Sequence, residues 1–128
     1  NRGADTLAGG EGADIVYGNA GLDILFGGAG ADTLYGGRDV DILIGDDGDD
    51  VLVGGLGGDL FVFDTGSGRD LVLGFDLDAG DQIGLAGQTF ALTSAQNGDA
   101  LLTLSGGGTV ELAGVTAAAF GNGAGYLA

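Results

Sequence analysis

Apolar residues recur at every ninth position in the first half of the chain. The series consists of Leu7, Val16, Leu25, Leu34, Leu43, Leu52 and Phe61. A nine-residue period is too short for a helical solenoid and is typical of a parallel β-helix. From about Phe63 the period is lost, and longer apolar segments between Gly and Asp turns indicate ordinary β-strands.

Each nine-residue segment combines a glycine-rich loop of six residues with three residues that can form a strand. Because alternate side chains of a strand point to opposite faces, the periodic apolar residue turns inward and its two neighbours turn outward. Two segments close one coil of 18 residues. The sequence therefore predicts an all-β fold, a right-handed parallel β-roll with one sheet on each side.

Two regions follow from this pattern, a roll over residues 1–62 and a C-terminal β cap over residues 63–128. Solenoid ends expose unpaired strand edges, so a terminal cap of strands and hairpins is expected. Asn97-Gly98 predicts a hairpin turn between two apolar segments, and residues 106–108 predict a second turn. The Ala- and Gly-rich tail from Val115 to Ala128 carries no structural prediction.

An Asp residue stands two places before each periodic apolar residue. These residues are Asp5, Asp14, Asp23, Asp32, Asp41, Asp50 and Asp59. Loops 18 residues apart are stacked neighbours in the predicted roll, so the Asp residues form two columns. A hard cation such as calcium takes about six to eight oxygen ligands from carboxylates and carbonyls, which these loops supply, whereas magnesium requires stricter octahedral geometry. Zinc and copper usually require His or Cys, and the chain has neither.

The charge balance points to the same cation. Nineteen acidic and three basic residues give a formal net charge of −16, which opposes a compact state unless cations bind. Adjacent loops within the two columns define five sites, and five divalent ions would change the net charge to −6. We therefore expect metal binding to be coupled to folding. The alternative is a flexible glycine-rich linker, which the strict register of seven Asp residues disfavours.

Composition also excludes several functions. The acidic charge would repel nucleic-acid phosphates, so nucleic acid is not a partner, and no run of apolar residues is long enough to predict a membrane span. His, Cys and Lys are absent, and acid–base and nucleophilic catalysis usually depend on them. We therefore expect this chain not to be an enzyme. The remaining acids, including Asp47, Asp49, Asp99 and Glu111, are interpreted as solvated.

The predicted outer faces of both sheets are unusually apolar. Outward positions include Ile24, Phe26, Ile42 and Ile44 on one sheet and Ile15, Tyr17, Tyr35, Val51 and Val53 on the other. Large exposed apolar patches are rare on monomers, so the C-terminal strands or another domain are expected to cover one face. The alternative is an interaction module that self-associates with calcium, as a surface adhesin, a surface-layer component or a polysaccharide-binding module.

The repeats resemble the motif GGxGxDxUx, where U is a large apolar residue, of the repeats-in-toxin (RTX) family. GGAGADTLY from Gly27 is a full example, and residues 1–62 resemble the motif throughout. The segment from Asp59 to Ile83 is similar to the one after the repeats in serralysin-type proteases and alginate epimerase modules. The resemblance implies a secreted bacterial protein that a type I secretion machine exports unfolded and that folds with calcium outside the cell. Residues 125–128 resemble a secretion ending without its acidic residue.

The resemblance also implies further ligands. Main-chain carbonyls at the first and third loop positions would join the Asp side chains, namely those of Gly9, Glu11, Gly18, Ala20, Gly27, Ala29, Gly36, Arg38, Gly45 and Asp47. Asp70 and Asp81 would complete further sites after the repeats, giving about five calcium ions or more.

Several positions depart from the family pattern. Asn19 and Asp46 replace Gly at second loop positions, and Asp39 stands where a Gly normally permits the turn. Either the backbone of these loops adapts or the loops bind calcium more weakly. Gly74 and Gly84 stand where the downstream segment often carries Asp, which argues against a metal site there.

Overall fold

The computed structural model describes residues 2–121 of the chain. They form twelve β-strands and one short helix. The elements are β1 (Thr6–Glu11), β2 (Ile15–Ala20), β3 (Ile24–Ala29), β4 (Thr33–Arg38), β5 (Ile42–Ile44), β6 (Val51–Leu56), β7 (Leu60–Val62), β8 (Arg69–Leu73), β9 (Gln82–Gly84), β10 (Phe90–Ser94), β11 (Asp99–Leu104), β12 (Thr109–Thr116) and α1 (Ala117–Gly121). None of the helical structure described is long and apolar enough to cross a membrane.

The first nine strands form a parallel roll with two sheets. Odd-numbered strands pair in the order β1-β3-β5-β7-β9, and the even-numbered strands β2, β4, β6 and β8 pair in the second sheet. Equivalent residues of adjacent coils lie opposite each other, as Leu25 does with Leu43 and Leu34 with Leu52. The predicted parallel β-roll is confirmed.

The core of the roll is the column of periodic apolar residues. Its fully buried members are Leu25, Leu34, Leu43, Leu52 and Phe61. Complete burial of each such side chain stabilises the fold by about 1.5–3 kcal/mol. In the first coil, Leu7 is only partly buried. This column fixes the register of the strands, because a shift of one residue would turn every apolar side chain outward.

The backbone conformation of the loops is unchanged where the sequence departs from the repeat pattern. Gly37, at a second loop position, has a φ of 114°, which glycine adopts without strain. Asn19 and Asp46 occupy the same loop position with φ values of 83° and 67°, and Asp39 has a φ of 78°. Asn and Asp tolerate left-handed backbone better than most residues do. The loop backbone is therefore retained at all three substituted positions.

Parallel pairing continues beyond residue 62. β8 pairs with β6, and β9 pairs with β7. Residue 62 therefore marks the end of the nine-residue period and not the end of parallel pairing. β12 then adds parallel to β8, and β11 and β10 follow antiparallel. The turns predicted at Asn97-Gly98 and residues 106–108 connect β10 to β11 and β11 to β12.

β10 to β12 extend the even-numbered sheet at its edge. Hydrogen bonding to β8 places them in line with that sheet, and Ile15 and Tyr17 on its outer face remain 64% and 56% exposed. The expectation that the C-terminal strands cover an outer face is therefore wrong for this sheet. The physical reason is that the free edge of β8 offers main-chain hydrogen bonds that the outer face does not.

Aromatic side chains close the C-terminal end of the core. Phe75 lies with its ring centroid 5.9 Å from that of Phe61 and 6.2 Å from that of Phe120 in α1. The ring centroids of Phe90 and Phe120 lie 6.5 Å apart. Helix α1 was not predicted, because its single buried side chain, Phe120, gives no helical period. The secretion ending at residues 125–128 lies outside the described residues.

Candidate metal centre

The loop Asp residues form two columns, one along each edge of the roll. In each column, Oδ1 of one Asp accepts a hydrogen bond from the main-chain N–H of the Asp in the preceding coil. The first Asp column consists of Asp5, Asp23, Asp41, Asp59 and Asp81, with N···O distances of 2.8–2.9 Å. The second Asp column consists of Asp14, Asp32, Asp50 and Asp70, with distances of 2.8–3.0 Å.

Asp70 and Asp81 continue these columns although the nine-residue period has ended. Asp70 follows Asp50 by 20 residues, and Asp81 follows Asp59 by 22 residues. Each stands two places before a buried apolar residue, Val72 or Ile83, as the repeat Asp residues do. This Asp-x-apolar spacing is the sequence signal that could have placed both residues in the columns.

The columns bury carboxylates inside the protein. Asp23 and Asp41 are 0% exposed, and Asp32, Asp50 and Asp59 are 1% exposed. Oδ1 of each column Asp from Asp23 onward is hydrogen bonded, whereas Oδ2 is buried and has no hydrogen-bond partner at eight positions. These are Asp5, Asp14, Asp23, Asp32, Asp41, Asp50, Asp59 and Asp70. Because a buried charged oxygen without a partner is costly, this arrangement favours a cation or a proton at each Oδ2.

Basic side chains do not neutralise the columns. Across residues 2–121, the ion pair formed is that of Arg69 with Asp49, which lies at the surface with an N···O distance of 3.8 Å. Desolvation by burial raises the pKa of Asp41 and Asp59 to about 6. It raises the pKa of Asp50 and Asp70 to about 7. In each case the main-chain hydrogen bond to the carboxylate opposes the rise and neighbouring Asp carboxylates add to it.

A main-chain carbonyl lies close to the unpartnered carboxylate oxygen. A methyl group built on Gly36 would stand 2.6 Å from Oδ2 of Asp41 and 2.6 Å from the carbonyl oxygen of Gly54 in the next coil. The same arrangement recurs at Gly9, Gly18 and Gly27. Two oxygens so close to one point can share an ion, because calcium–oxygen distances are about 2.3–2.6 Å. Only glycine leaves this space open.

The donor set is suited to calcium. In the part of the chain that the structure describes, no group of three or more acidic side chains converges to hold a metal. Because a carbonyl oxygen of the next coil lies beside the Asp carboxylate, a site between two loops would combine carboxylate with carbonyl oxygens, which is the mixture that calcium takes. The residues present fit a hard divalent cation.

The two predicted sets of carbonyl ligands lie in different surroundings. First-position carbonyls of Gly27, Gly36 and Gly45 lie beside the carboxylate of the preceding coil. Third-position carbonyls of Ala20, Ala29 and Asp47 each accept a main-chain N–H at 2.8–2.9 Å. A carbonyl has two lone pairs, so each third-position carbonyl retains one acceptor position. Glu11 and Arg38, the other third-position residues, end β1 and β4.

The acids interpreted as solvated lie outside the columns. Asp47 and Asp49 are exposed, and Asp99 and Glu111 are half-buried. Asp99 also has a structural role that the sequence analysis missed, because its two oxygens accept hydrogen bonds from Gly114 and from Asn97, at 3.0 and 2.9 Å.

The fold and the Asp columns define a class of protein, the parallel β-rolls built from cation-binding nonapeptide repeats. The model of one family, the RTX calcium-binding nonapeptide repeat, matches residues 1–34 and 26–61, in four copies. Residues 1–61 are therefore RTX calcium-binding nonapeptide repeats, and they fold as part of a parallel β-roll.

Two solved structures are similar to this domain over most of its length. The AlgE6R3 subunit of the Azotobacter vinelandii mannuronan C5-epimerase is 27% identical, with a TM-score of 0.66 over 94% of this chain and 80% of that subunit. The AlgE6R2 subunit is 29% identical, with a TM-score of 0.64 over 94% of this chain and 90% of that subunit. No curated protein matches the chain.

Proposed function

We propose that calcium ions bound between stacked loops complete the fold of this domain. The observation that carries the proposal is the row of buried Oδ2 atoms without hydrogen-bond partners, repeated in every coil. Each ion would relieve the repulsion between Asp carboxylates stacked in one column and would replace their lost hydration. Calcium supplies concentrated positive charge there, and the chain supplies oxygens held in place by the strands.

The ligands in this proposal come from adjacent coils. The side chains are those of Asp5, Asp14, Asp23, Asp32, Asp41, Asp50 and Asp59. The carbonyls at first and third loop positions, from Gly9 to Asp47, complete the oxygen set. Five ions between the loops of the repeats would lower the magnitude of the net charge from 16 to 6.

Calcium dependence would restrict folding of the domain to surroundings that are rich in free calcium. With a formal charge of −16 and buried unpartnered carboxylates, the chain is poorly stabilised where free calcium is scarce. Export in an unfolded state by a type I secretion machine, followed by folding in calcium-rich surroundings outside the cell, uses this property. Catalysis is not part of the role of this domain, and any enzyme activity belongs to another part of the parent protein.

The test is far-ultraviolet circular dichroism during titration of chelated protein with calcium, with magnesium as the control. We expect a cooperative gain of β signal with calcium that magnesium does not reproduce at the same concentration. A β signal that is already complete in chelator would show that the Asp columns are structural turns.

A second candidate function is an interaction module, and the outer face of the even-numbered sheet favours it. Tyr17 and Tyr35 stack there with ring centroids 5.0 Å apart and planes within 7° of each other, at 56% and 37% exposed. Stacked, exposed rings suit a polysaccharide or a second copy of the domain. Light scattering with and without calcium tests self-association, and a calcium-loaded monomer would exclude it. Retention on immobilised polysaccharide, compared with Tyr17→Ala, tests the glycan alternative.

A further inference from the structure

The two loop edges of the roll carry opposite charges at the third loop position. The basic edge runs along the first Asp column and consists of Arg2, Ala20, Arg38 and Leu56. The acidic edge runs along the second Asp column and consists of Glu11, Ala29 and Asp47. The charged residues of both edges are exposed. Because successive loops alternate between the two sides of the roll, the basic and acidic edges lie on opposite sides of one molecule.

The charges of the basic edge are separated by one alanine. Arg2 forms a parallel bridge with Ala20, and Ala20 lies opposite Arg38 in the pairing of β2 with β4. Adjacent strands lie about 4.8 Å apart, so the two Arg residues stand about 10 Å apart along the edge.

The acidic edge has the same spacing. Glu11 lies opposite Ala29 in the pairing of β1 with β3. The carbonyl of Asp47 accepts the N–H of Gly30 at 2.9 Å, as the carbonyl of Ala29 accepts the N–H of Gly12 at 2.8 Å. Asp47 is therefore stacked one coil beyond Ala29, and the two acids also stand about 10 Å apart.

These charges have no counter-charge within the molecule. In the part of the chain that the structure describes, the ion pair formed joins Arg69 to Asp49. Asp39 follows Arg38 in the chain, but its Oδ2 accepts the N–H of Gly21 at 3.1 Å. Both edges therefore present charges that are free to meet a partner.

Exposed apolar side chains accompany the arginines. Leu56 of the basic edge is 69% exposed, and Leu22 and Val40 in the same row of loops are 51% and 47% exposed. The acidic edge has small residues, Ala13 and Ala31, at the loop position of Leu22 and Val40. Large apolar side chains rimmed by charges are typical of protein–protein contacts.

We propose that the basic edge of one copy of the domain binds the acidic edge of a second copy, with Arg2 opposite Glu11 and Arg38 opposite Asp47. The equal spacing lets both ion pairs form at once when the two rolls lie side by side with parallel axes. Since the edges lie on opposite sides, each copy in a pair keeps one edge free. Such a contact between unlike surfaces produces an open chain of copies and not a closed dimer.

This inference rests on the proposed function, because both edges exist only in the folded roll. Five calcium ions would also change the net charge from −16 to −6, which lowers the repulsion between copies. Association should therefore require calcium.

Sedimentation velocity at saturating free calcium and low ionic strength, over a range of protein concentrations, measures the association. The wild type is compared with Arg38→Glu, with Asp47→Arg and with an equimolar mixture of these two variants. We expect each variant alone to associate about tenfold more weakly than the wild type, because one ion pair becomes a contact between like charges. The mixture should associate as the wild type does, because it restores opposite charges at that contact.

Thr93→Arg/Gln96→Arg is the control. It changes the net charge by the same amount as Asp47→Arg, but at exposed positions of the β10–β11 hairpin, and it should not weaken association. Equal association of Asp47→Arg and the control, or a mixture that associates no better than its components, would overturn the inference. If Arg38→Glu or Asp47→Arg does not fold, Arg2→Glu and Glu11→Arg make the same comparison at the other contact.

Circular dichroism of the same samples separates the two proposals. A wild type that is folded in calcium but monomeric at every concentration would refute the edge contact alone. A wild type whose β signal is complete in chelator would refute the proposed function. Association that Tyr17→Ala abolishes and that the charge exchange leaves unchanged would place the contact on the outer face and would also overturn the inference.

Discussion

The repeat half and the C-terminal half of the domain both bury apolar side chains, but they differ in how the oxygens of their carboxylates are hydrogen bonded. In the coils of β1 to β7, buried Asp carboxylates retain an oxygen without a hydrogen-bond partner. In β10 to β12, the buried positions are apolar, such as Leu102 and Leu112 at 0% exposed. Asp99, at the start of β11, has hydrogen bonds at both oxygens.

This difference separates two sources of stability. In the proposed function, the repeat half depends on an external cation to offset the cost of its buried carboxylates. The C-terminal half depends on hairpin turns and apolar packing, which the chain provides by itself. Calcium should therefore control the fold of the first half far more strongly than that of the second.

Removal of calcium should give the largest effect. In chelator, we expect amide protection in β1 to β7 to fall to that of an unfolded chain, while β10 to β12 retain part of theirs. Hydrogen exchange read by mass spectrometry on proteolytic peptides measures both halves at once. Equal loss of protection in the two halves would show that the domain responds to calcium as a single unit.

Truncation of a core leucine in each half should give the next largest effect. Leu34→Ala and Leu102→Ala should each lower the free energy of unfolding of the calcium-loaded protein by about 2–5 kcal/mol, since both side chains are 0% exposed. Only Leu34→Ala should also raise the calcium concentration at the folding midpoint, because Leu34 lies in a coil whose loops are proposed to bind calcium. Urea unfolding and calcium titration measure the two quantities, and equal midpoints for the two variants would contradict the distinction.

A methyl group in the space between two loops should have a smaller effect. In Gly36→Ala the new Cβ would lie 2.6 Å from Asp41 Oδ2 and from the Gly54 carbonyl. The resulting overpacking should cost about 1–3 kcal/mol, which corresponds to about a tenfold loss of calcium affinity for each 1.4 kcal/mol. Calcium titration followed by circular dichroism measures the loss.

Gly84→Ala is the matched control. Its Cβ would meet the side chains of Leu60 and Val62 at 3.6 Å, an ordinary contact distance, so stability should change by no more than about 0.5 kcal/mol. A similar loss of calcium affinity in both variants would show that the Gly36 space has no special role.

Acidification should give the smallest effect, and its sign depends on calcium. In the folded state without calcium, the pKa values of Asp41 and Asp50 are about 6 and about 7, above the ordinary value of 3.8. The folded chain therefore binds these protons more tightly than the unfolded chain, so stability rises as pH falls through 7 and is lost again as pH rises. In chelator, the β signal should increase between pH 8 and pH 5. With calcium present, protons compete for the same oxygens and the calcium midpoint should rise over that range. An apo signal that falls on acidification would contradict this linkage.

Much of the fold could be predicted because the repeat makes each contact local. The Asp and apolar positions recur every nine residues, so one strand and one loop determine all the others. The positive φ of Asn19, Asp39 and Asp46 shows that the backbone tolerates departures from the motif. Three features could not be predicted in this way, namely the addition of β12 to β8, the closure of the core by Phe120 and the exposure of the outer face.

The sequence alone determined the parallel roll, its inward column and the seven Asp residues of the repeats, because these follow from periodic spacing and side-chain alternation. The tertiary structure decided which carboxylate oxygens lack a partner and how each column ends. Asp70 and Asp81 have the same spacing to a buried apolar residue. They differ in that the N–H of Asp76 donates to Oδ2 of Asp81, and the path of the connecting loop sets that contact.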